Sequence, residues 1–202
     1  MSDVTAAPRA LPIGGIGHIG VGWWGAVCVI VTETALFGYL LFAYLYCAVI
    51  TDGNWLPQDA PSLHFALPAT LVLVASSGAV WWGERGLRRG ARLQVCIGPI
   101  AAVLCGTAFA VLQMLEWRSK DFSWRTDAYG SMFFTITGIH LAHLLAGMLA
   151  LLIVALWSVL GYFDARHNAP VLIAAAYWHF VVAMGVAVFF VLYLSPYLLV
   201  AG

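Results

Sequence analysis

Five long apolar runs alternate with short polar segments along the chain, and each run is long enough to cross a lipid bilayer as a helix. A spanning helix needs about 20 consecutive apolar residues, and an open sheet cannot satisfy its backbone hydrogen bonds in lipid. The pattern therefore predicts an all-α, polytopic membrane protein with a five-transmembrane-helix bundle. The predicted helices cover approximately residues 21–50, 63–83, 93–115, 129–160 and 171–200.

The polar segments between these helices are too short to hold a soluble domain. We therefore expect residues 1–20 to form an N-terminal tail and residues 21–202 to form a single transmembrane domain. The tail has neither the apolar core nor the cleavage site of a signal peptide. The first, fourth and fifth runs exceed the minimum spanning length, so these helices should tilt or project beyond the hydrocarbon.

Composition agrees with a membrane protein and excludes a nucleic-acid-binding surface. Hydrophobic residues make up 63% of the 202 residues and charged residues 9%, whereas a soluble domain has about 25% charged residues. The formal net charge is zero, which gives no basic surface for nucleic acid. The four cysteines lie inside the apolar runs without C-x-x-C spacing, so we expect small buried side chains rather than disulfides or metal ligands.

The basic residues are unevenly divided between the two ends of the predicted bundle. Cytoplasmic segments of membrane proteins carry an excess of lysine and arginine, and six basic residues share the side of the N-terminus while three lie on the other side. The N-terminus is therefore predicted in the cytoplasm and the C-terminus outside. The larger group is Arg9, Arg85, Arg88, Arg89, Arg92 and Arg166, and the smaller is Arg118, Lys120 and Arg125.

Aromatic residues near the ends of the apolar runs are typical of the membrane interface. An aromatic ring with a polar edge is accommodated well at the headgroup level. Trp55, Tyr193 and Tyr197 are among the residues that we expect to anchor helix ends in this way.

Glu33 lies near the middle of the first apolar run, where an ionised carboxylate is expensive. One interpretation is a residue that handles protons or ions. The other is a protonated acid that hydrogen-bonds to Thr32, to Thr34 or to a neighbouring helix. By contrast, Glu116 lies with Gln113 at the end of the third run, so we expect a structural role at the interface.

Three histidines within the apolar runs are the remaining candidate functional residues. His140 and His143 are three residues apart and therefore share a helical face, whereas His179 lies in the fifth run. Hydrogen bonding between helices is the favoured interpretation, because polar side chains often join membrane helices. A haem with two histidine ligands remains the alternative and requires His179 opposite one of the other two.

Four short motifs follow one another in the order found in one membrane-protein family. They are Glu33 within "TETALFGYLLFAYLY", Gln113 and Glu116 within "LQMLEW", "YGSMFFTITGIHLAH" at residues 129–143, and "AYWHFV" with Trp178 and His179. Through these motifs the chain resembles subunit III of the haem-copper cytochrome c oxidase family, in a short, five-helix bacterial-type form. The resemblance extends from the first predicted helix to the C-terminus.

The resemblance implies an accessory, non-redox subunit of a proton-pumping terminal oxidase in a bacterial inner (plasma) membrane. Its partners would be catalytic subunit I, other oxidase subunits and membrane lipids, with phospholipid between the helices. Haem and copper would reside in the partner subunits, and this chain would hold no metal and no catalytic residue. Glu33 would serve proton uptake or the integrity of the complex. The remaining motif residues would pack and hydrogen-bond: Gln113, Glu116, His140, His143, Trp178 and His179.

The chain departs from the family pattern in two ways. The mitochondrial form has seven helices, and this chain would lack the first two, so the lipid cleft that they border would be either missing or completed by another subunit. Many relatives follow the W-H-F-V motif with an aspartate and place a tryptophan three residues later, where this chain has Val182 and Gly185. We therefore do not expect the acid-dependent contact of those relatives here.

Other functions remain open from the sequence. Quinol oxidases and nitric oxide reductases have related small subunits. A small ion transporter that uses Glu33 is a second possibility, and a membrane haem protein that uses His179 is a third.

Overall fold

The computed structural model describes residues 21–51, 55, 61–161 and 168–200, and the regular elements among these residues are all helices. The predicted tail at residues 1–20, Arg9 and Arg166 lie outside the described residues. The helices are α1 (Val21–Ile50), α2 (Leu63–Arg89), α3 (Arg92–Arg118), α4 (Ala128–Val159), α5 (Ala169–Phe189) and α6 (Ser195–Val200).

Five helical spans in the described part of the chain are long and apolar enough to cross a membrane. The predicted all-α, five-helix fold is therefore confirmed. The fifth span is Ala169–Tyr197, in which α5 continues through a π-helical segment, Phe190–Leu194, into α6. Which side of the membrane holds each end of the chain stays a prediction.

Helix α2 is longer than predicted and contains charged residues that the sequence pattern assigns to a link. It continues past Gly83 to Arg89 and ends at Gly90. Gly90 has φ 70°, and its backbone N–H donates to carbonyls of the preceding turn. A glycine adopts this left-handed conformation without a Cβ clash, which explains the helix end. The prediction ended the helix at the first charged residues because it equated the end of the apolar run with the end of the helix.

Helices α2, α3, α4 and α5 form a ring in which each helix contacts the next and α5 closes against α2. Leu73, Ala102, Leu144 and Val181 lie in the buried core that these helices share. Because lipid tails are as apolar as these side chains, close van der Waals packing holds the ring more than hydrophobic burial does.

Trp178 is the largest fully buried side chain of the ring, and two glycines give it room. A Cβ atom at Gly106 of α3 or at Gly147 of α4 would lie 3.0 Å from the indole ring. The indole Nε1–H donates a hydrogen bond of 3.0 Å to the Ser76 hydroxyl of α2. One side chain of α5 therefore contacts or bonds all three other helices of the ring.

Helix α1 lies outside the ring, against α4 and α5. Within the described residues, its buried side chains are Phe37 and Tyr44. At about 1.5 Å per residue the helix is about 45 Å long. Along this length, the side chains of Phe37 and Tyr44 are the ones buried against the other helices.

The prediction that the four cysteine side chains are buried is wrong. Cys28 is exposed, and Cys47, Cys96 and Cys105 are only partly buried. In a membrane helix a thiol can face lipid at little cost, because the surroundings are apolar on both sides.

Candidate functional site

Glu33 and His143 form an ion-pairing hydrogen bond between α1 and α4. The Oε2 atom of Glu33 lies 2.8 Å from Nε2 of His143, and the two side chains are 25% and 18% exposed. The hydroxyls of Thr32 and Thr34 bond instead to backbone carbonyls of their own helix. Of the hydrogen-bond partners expected for Glu33, the structure therefore shows a residue of a neighbouring helix and neither Thr32 nor Thr34.

The hydrogen bond of Nδ1, the second ring nitrogen of His143, determines how many protons lie between Nε2 and Glu33. Nδ1 lies 2.7 Å from the carbonyl oxygen of Ile139. A carbonyl oxygen only accepts, so Nδ1 must carry a hydrogen and donate it. The contact between Nε2 and Glu33 then contains one proton, which belongs either to the carboxyl group or to the imidazole.

In both arrangements the Glu33–His143 pair has zero net charge. A carboxylic acid with a neutral imidazole and a carboxylate with an imidazolium differ only in the position of that proton. Because an unpaired charge within a membrane span is costly, this neutrality explains how the acid is tolerated in α1. The pair therefore shares one proton and joins α1 to α4 through a hydrogen bond.

His140 lies one helical turn from His143 but does not join the pair. Its ring is buried, and neither ring nitrogen has a hydrogen-bond partner. Phe37 packs edge-on against both imidazoles, with ring centroids 6.2 Å from His140 and 5.3 Å from His143. Phe109 also packs edge-on against His140, with ring centroids 5.6 Å apart. His140 is thus a packing residue by its contacts, and its expected hydrogen bond is not formed.

His179 belongs to a second polar cluster, between α5 and α2. Its Nδ1 atom lies 2.6 Å from the Ser77 hydroxyl, and Nε2 lies 3.4 Å from Oε2 of Glu84. Among the residues that the structure describes, the Glu84–His179 pair is therefore a second carboxyl–imidazole pair, between different helices from the first.

Glu116 is the centre of a third polar cluster, where α3 meets the C-terminal part of the fifth span. Its carboxyl group accepts hydrogen bonds from Tyr193 at 2.6 Å and from Gln113 at 3.2 Å. Lys120 lies 3.2 Å from the same carboxyl group. Glu116 and Tyr193 are buried, at 2% and 3% exposure. The predicted place of both residues at the membrane interface stays a prediction; within the protein, Tyr193, Gln113 and Lys120 satisfy the carboxyl group.

The contacts of the histidines leave little room for metal ligation. Both nitrogens of His143 and of His179 face protein oxygen atoms, and His140 is enclosed by aromatic rings. Among the described residues, no three histidine, cysteine or acidic side chains lie close enough together to hold one metal ion. A haem iron binds one ring nitrogen, so ligation by His179 would require one of its two hydrogen bonds, to Ser77 or to Glu84, to be broken.

Sequence reasoning missed Glu84, Ser77 and Tyr193. Glu84 follows the apolar run and therefore falls outside the predicted helix, residues 63–83. It is nevertheless seven residues from Ser77 and so lies on the same helical face. That spacing was the available signal. Nothing in the sequence pattern separates Tyr193, which faces Glu116, from the exposed Tyr197.

Comparison with known proteins gives consistent matches over nearly the whole chain. A family model described as cytochrome c oxidase subunit III matches residues 18–199. A cytochrome c oxidase subunit 3 from Artemia franciscana is 33% identical over 178 residues, which are 86% of this chain and 67% of the relative. The protein of that name from Drosophila melanogaster is 32% identical over 165 residues, 78% of this chain and 63% of the relative.

A bacterial relative is covered more completely. The cytochrome c oxidase subunit 3 of Synechocystis sp. is 32% identical over 184 residues, which are 88% of this chain and 77% of the relative. This chain thus spans about two thirds of the length of the two animal relatives.

Proposed function

Because the chain belongs to the cytochrome c oxidase subunit III family, we propose that it is an accessory, non-redox subunit of a haem-copper terminal oxidase. It is a multi-pass membrane protein by its helices and its family, and we place it in a bacterial inner membrane. Its partners in this proposal are catalytic subunit I, the other oxidase subunits and phospholipid. Haem and copper reside in the partners.

The family match over residues 18–199 is the observation that carries this proposal. The arrangement of Glu33 and His143 supplies a physical role within it. The pair joins α1 to the ring and holds one exchangeable proton at a partly exposed position. We infer that Glu33 both fastens α1 and supports proton uptake by the oxidase.

Two substitutions of Glu33 separate these roles. The amide of Glu33→Gln can donate a hydrogen bond to Nε2 of His143, so the fastening is kept while the acidic proton is lost. Glu33→Ala removes both. Thr34→Val is the matched control, because the neighbouring hydroxyl bonds only within α1, to Ile30.

The experiment uses the tagged full chain in membranes of its source organism, solubilised in mild detergent. We expect the chain to co-purify with a large haem-bearing subunit. Glu33→Gln should keep this chain in the complex and slow proton uptake, whereas Glu33→Ala should lower the amount of chain per haem as well. Thr34→Val should change neither. Isolation of the chain without any haem-bearing partner contradicts the proposed function, and Glu33 variants that behave like Thr34→Val contradict the role of Glu33.

A further inference from the structure

The polar cluster of His179, Ser77 and Glu84 differs in kind from the Glu33–His143 pair. Ser77 and Glu84 lie two turns apart on one face of α2, about 10 Å along the helix axis. The imidazole of His179 bridges them, with Nδ1 toward the hydroxyl and Nε2 toward the carboxyl group. A polar connection therefore runs along the α2–α5 seam.

The partners of the two ring nitrogens determine whether an imidazole can pass a proton through itself. Nδ1 of His143 is held by a carbonyl oxygen, so its hydrogen cannot leave and the ring exchanges protons only at Nε2. A hydroxyl group, by contrast, both donates and accepts, and a carboxyl group does so as its proton moves on and off. Both neutral tautomers of His179 are therefore hydrogen-bonded, through Ser77 and Glu84.

We propose that Glu84, His179 and Ser77 form a proton relay along the α2–α5 seam. The Glu84 carboxyl group gives its proton to Nε2 and becomes a carboxylate, while the ring becomes an imidazolium. The proton on Nδ1 then passes to the Ser77 oxygen as the Ser77 hydroxyl proton moves to a base beyond it, and the ring is neutral again. That final base is a water molecule or a basic group of a neighbouring subunit. The starting tautomer returns when water takes the proton from Nε2 and supplies one to Nδ1, which the 33% exposure of the His179 side chain permits, and Glu84 then takes up a new proton from water.

The surroundings give the relay two ends. The cavity of about 10 Å³ beside Glu84 is otherwise lined by apolar residues such as Val80 and Pro99, so it does not hold a water molecule for the relay. At the other end, Gly78 follows Ser77 and is exposed, with nothing within 4 Å of the position of a Cβ atom. Glu84, which is 19% exposed near the end of α2, is the entry end of the relay, and partly exposed Ser77 is its exit.

No other contact with a charged group is recorded for His179 within the described residues. Arg85, next to Glu84, is directed onto the ring of Trp81, with Cζ 3.6 Å from its centroid. On α1, which also packs against α5, the acid Glu33 is engaged by His143. Glu84 therefore controls the proton on His179.

The relay is tested first by the tautomers of the two histidines in the full chain. The purified protein, with ¹⁵N-labelled histidine, is reconstituted in phosphatidylcholine bilayers and studied by solid-state NMR over a pH series. Nδ1 of His143 should keep the chemical shift of a protonated nitrogen throughout. Both nitrogens of His179 should show shifts between the protonated and unprotonated values, and Ser77→Ala should restrict the ring to Nε2–H. A single tautomer of His179 in the wild type, unchanged in Ser77→Ala, would overturn the relay.

The destination of the proton rests on the proposed function and is tested in the assembled complex. Glu84→Gln should leave the subunit content unchanged and slow proton uptake, while Thr70→Val, a control on the same helix whose hydroxyl bonds only to Ala66, should leave uptake unchanged. If Glu84→Gln and Thr70→Val give the same uptake, the relay does not deliver protons to the oxidase. If no oxidase co-purifies, the proposed function fails, and the NMR result still decides the relay.

Discussion

Gly185→Ala tests whether α5 packs as closely on His140 and Leu73 as the structure has it. A Cβ atom at Gly185 would lie 2.5 Å from Cδ2 of Leu73 and 2.9 Å from Nε2 of His140. Non-bonded carbon atoms prefer about 3.5–4.0 Å, so the leucine would have to move by roughly 1 Å or more. Both neighbours are buried, at 0% and 3% exposure, and therefore cannot turn out into the surroundings without leaving the core.

The magnitude follows from two opposing effects. Overpacking a buried position costs about 1–3 kcal/mol, whereas replacing a glycine inside a helix by alanine stabilises it by about 0.5–1 kcal/mol. Gly185→Ala should therefore lower the free energy of unfolding by up to about 2.5 kcal/mol. Gly78→Ala on α2 is the control, because a Cβ there meets nothing within 4 Å, and it should be neutral or stabilising.

The free energy of unfolding is measured by titrating the purified chain in mild detergent with sodium dodecyl sulfate and following its circular dichroism. Leu73→Ala in the Gly185→Ala background should cost less than Leu73→Ala alone, since the added methyl group fills part of the space that the leucine leaves. Equal stability of Gly185→Ala and Gly78→Ala, together with additive effects of the two substitutions, would refute the close packing of α5 on His140.

Two further predictions concern hydrogen bonds to buried groups, and the same titration measures them. Tyr193→Phe removes a bond of 2.6 Å to the carboxyl group of Glu116 and should cost about 1.5–3 kcal/mol. Tyr197→Phe, which removes a bond of 3.1 Å to a neutral carbonyl, should cost about 0.5–1.5 kcal/mol, and the reverse order would show that Glu116 does not depend on Tyr193. Trp178→Phe removes the hydrogen bond to the buried Ser76 hydroxyl, worth about 1 kcal/mol, and also leaves a cavity where the larger indole packed, so its total cost should exceed about 1 kcal/mol. The hydrogen-bond part of this loss should disappear when Ser76→Ala is already present.

The sequence predicts the helices well because lipid imposes one requirement on all of them. A spanning segment must be helical and apolar for about 20 residues. Such a segment can be recognised from the sequence without knowing its contacts. The errors fall at the ends, as at Glu84, where a helix continues through charged residues that reach the interface. Hydropathy identifies the part of a helix that lies in the hydrocarbon, not the whole helix.

The partners of the polar residues could not be predicted in the same way. Spacing identifies residues that share a helical face, as for His140 and His143, but not which helix that face meets. Glu33 and His143 are brought together from different helices, whereas His140 meets Phe37 and Phe109 instead of a polar group. The contacts of each polar residue depend on which helices are neighbours in the ring and on close packing such as that of Gly185 against Leu73 and His140. Neither can be read from the sequence.

The position of α1 explains why a single acid can have both a structural and a protonic role in the function that we propose. The ring of α2, α3, α4 and α5 closes without α1, and α1 buries few side chains against it. Hydrophobic burial adds little to helix association in lipid, so the bond between Glu33 and His143 acts together with the packing of Phe37 and Tyr44 in holding α1 against the ring. Any change in where the shared proton resides alters the strength of that bond, because hydrogen bonds between charged groups are stronger than those between neutral ones. Proton exchange at Glu33 and attachment of α1 are therefore coupled through the same pair of atoms.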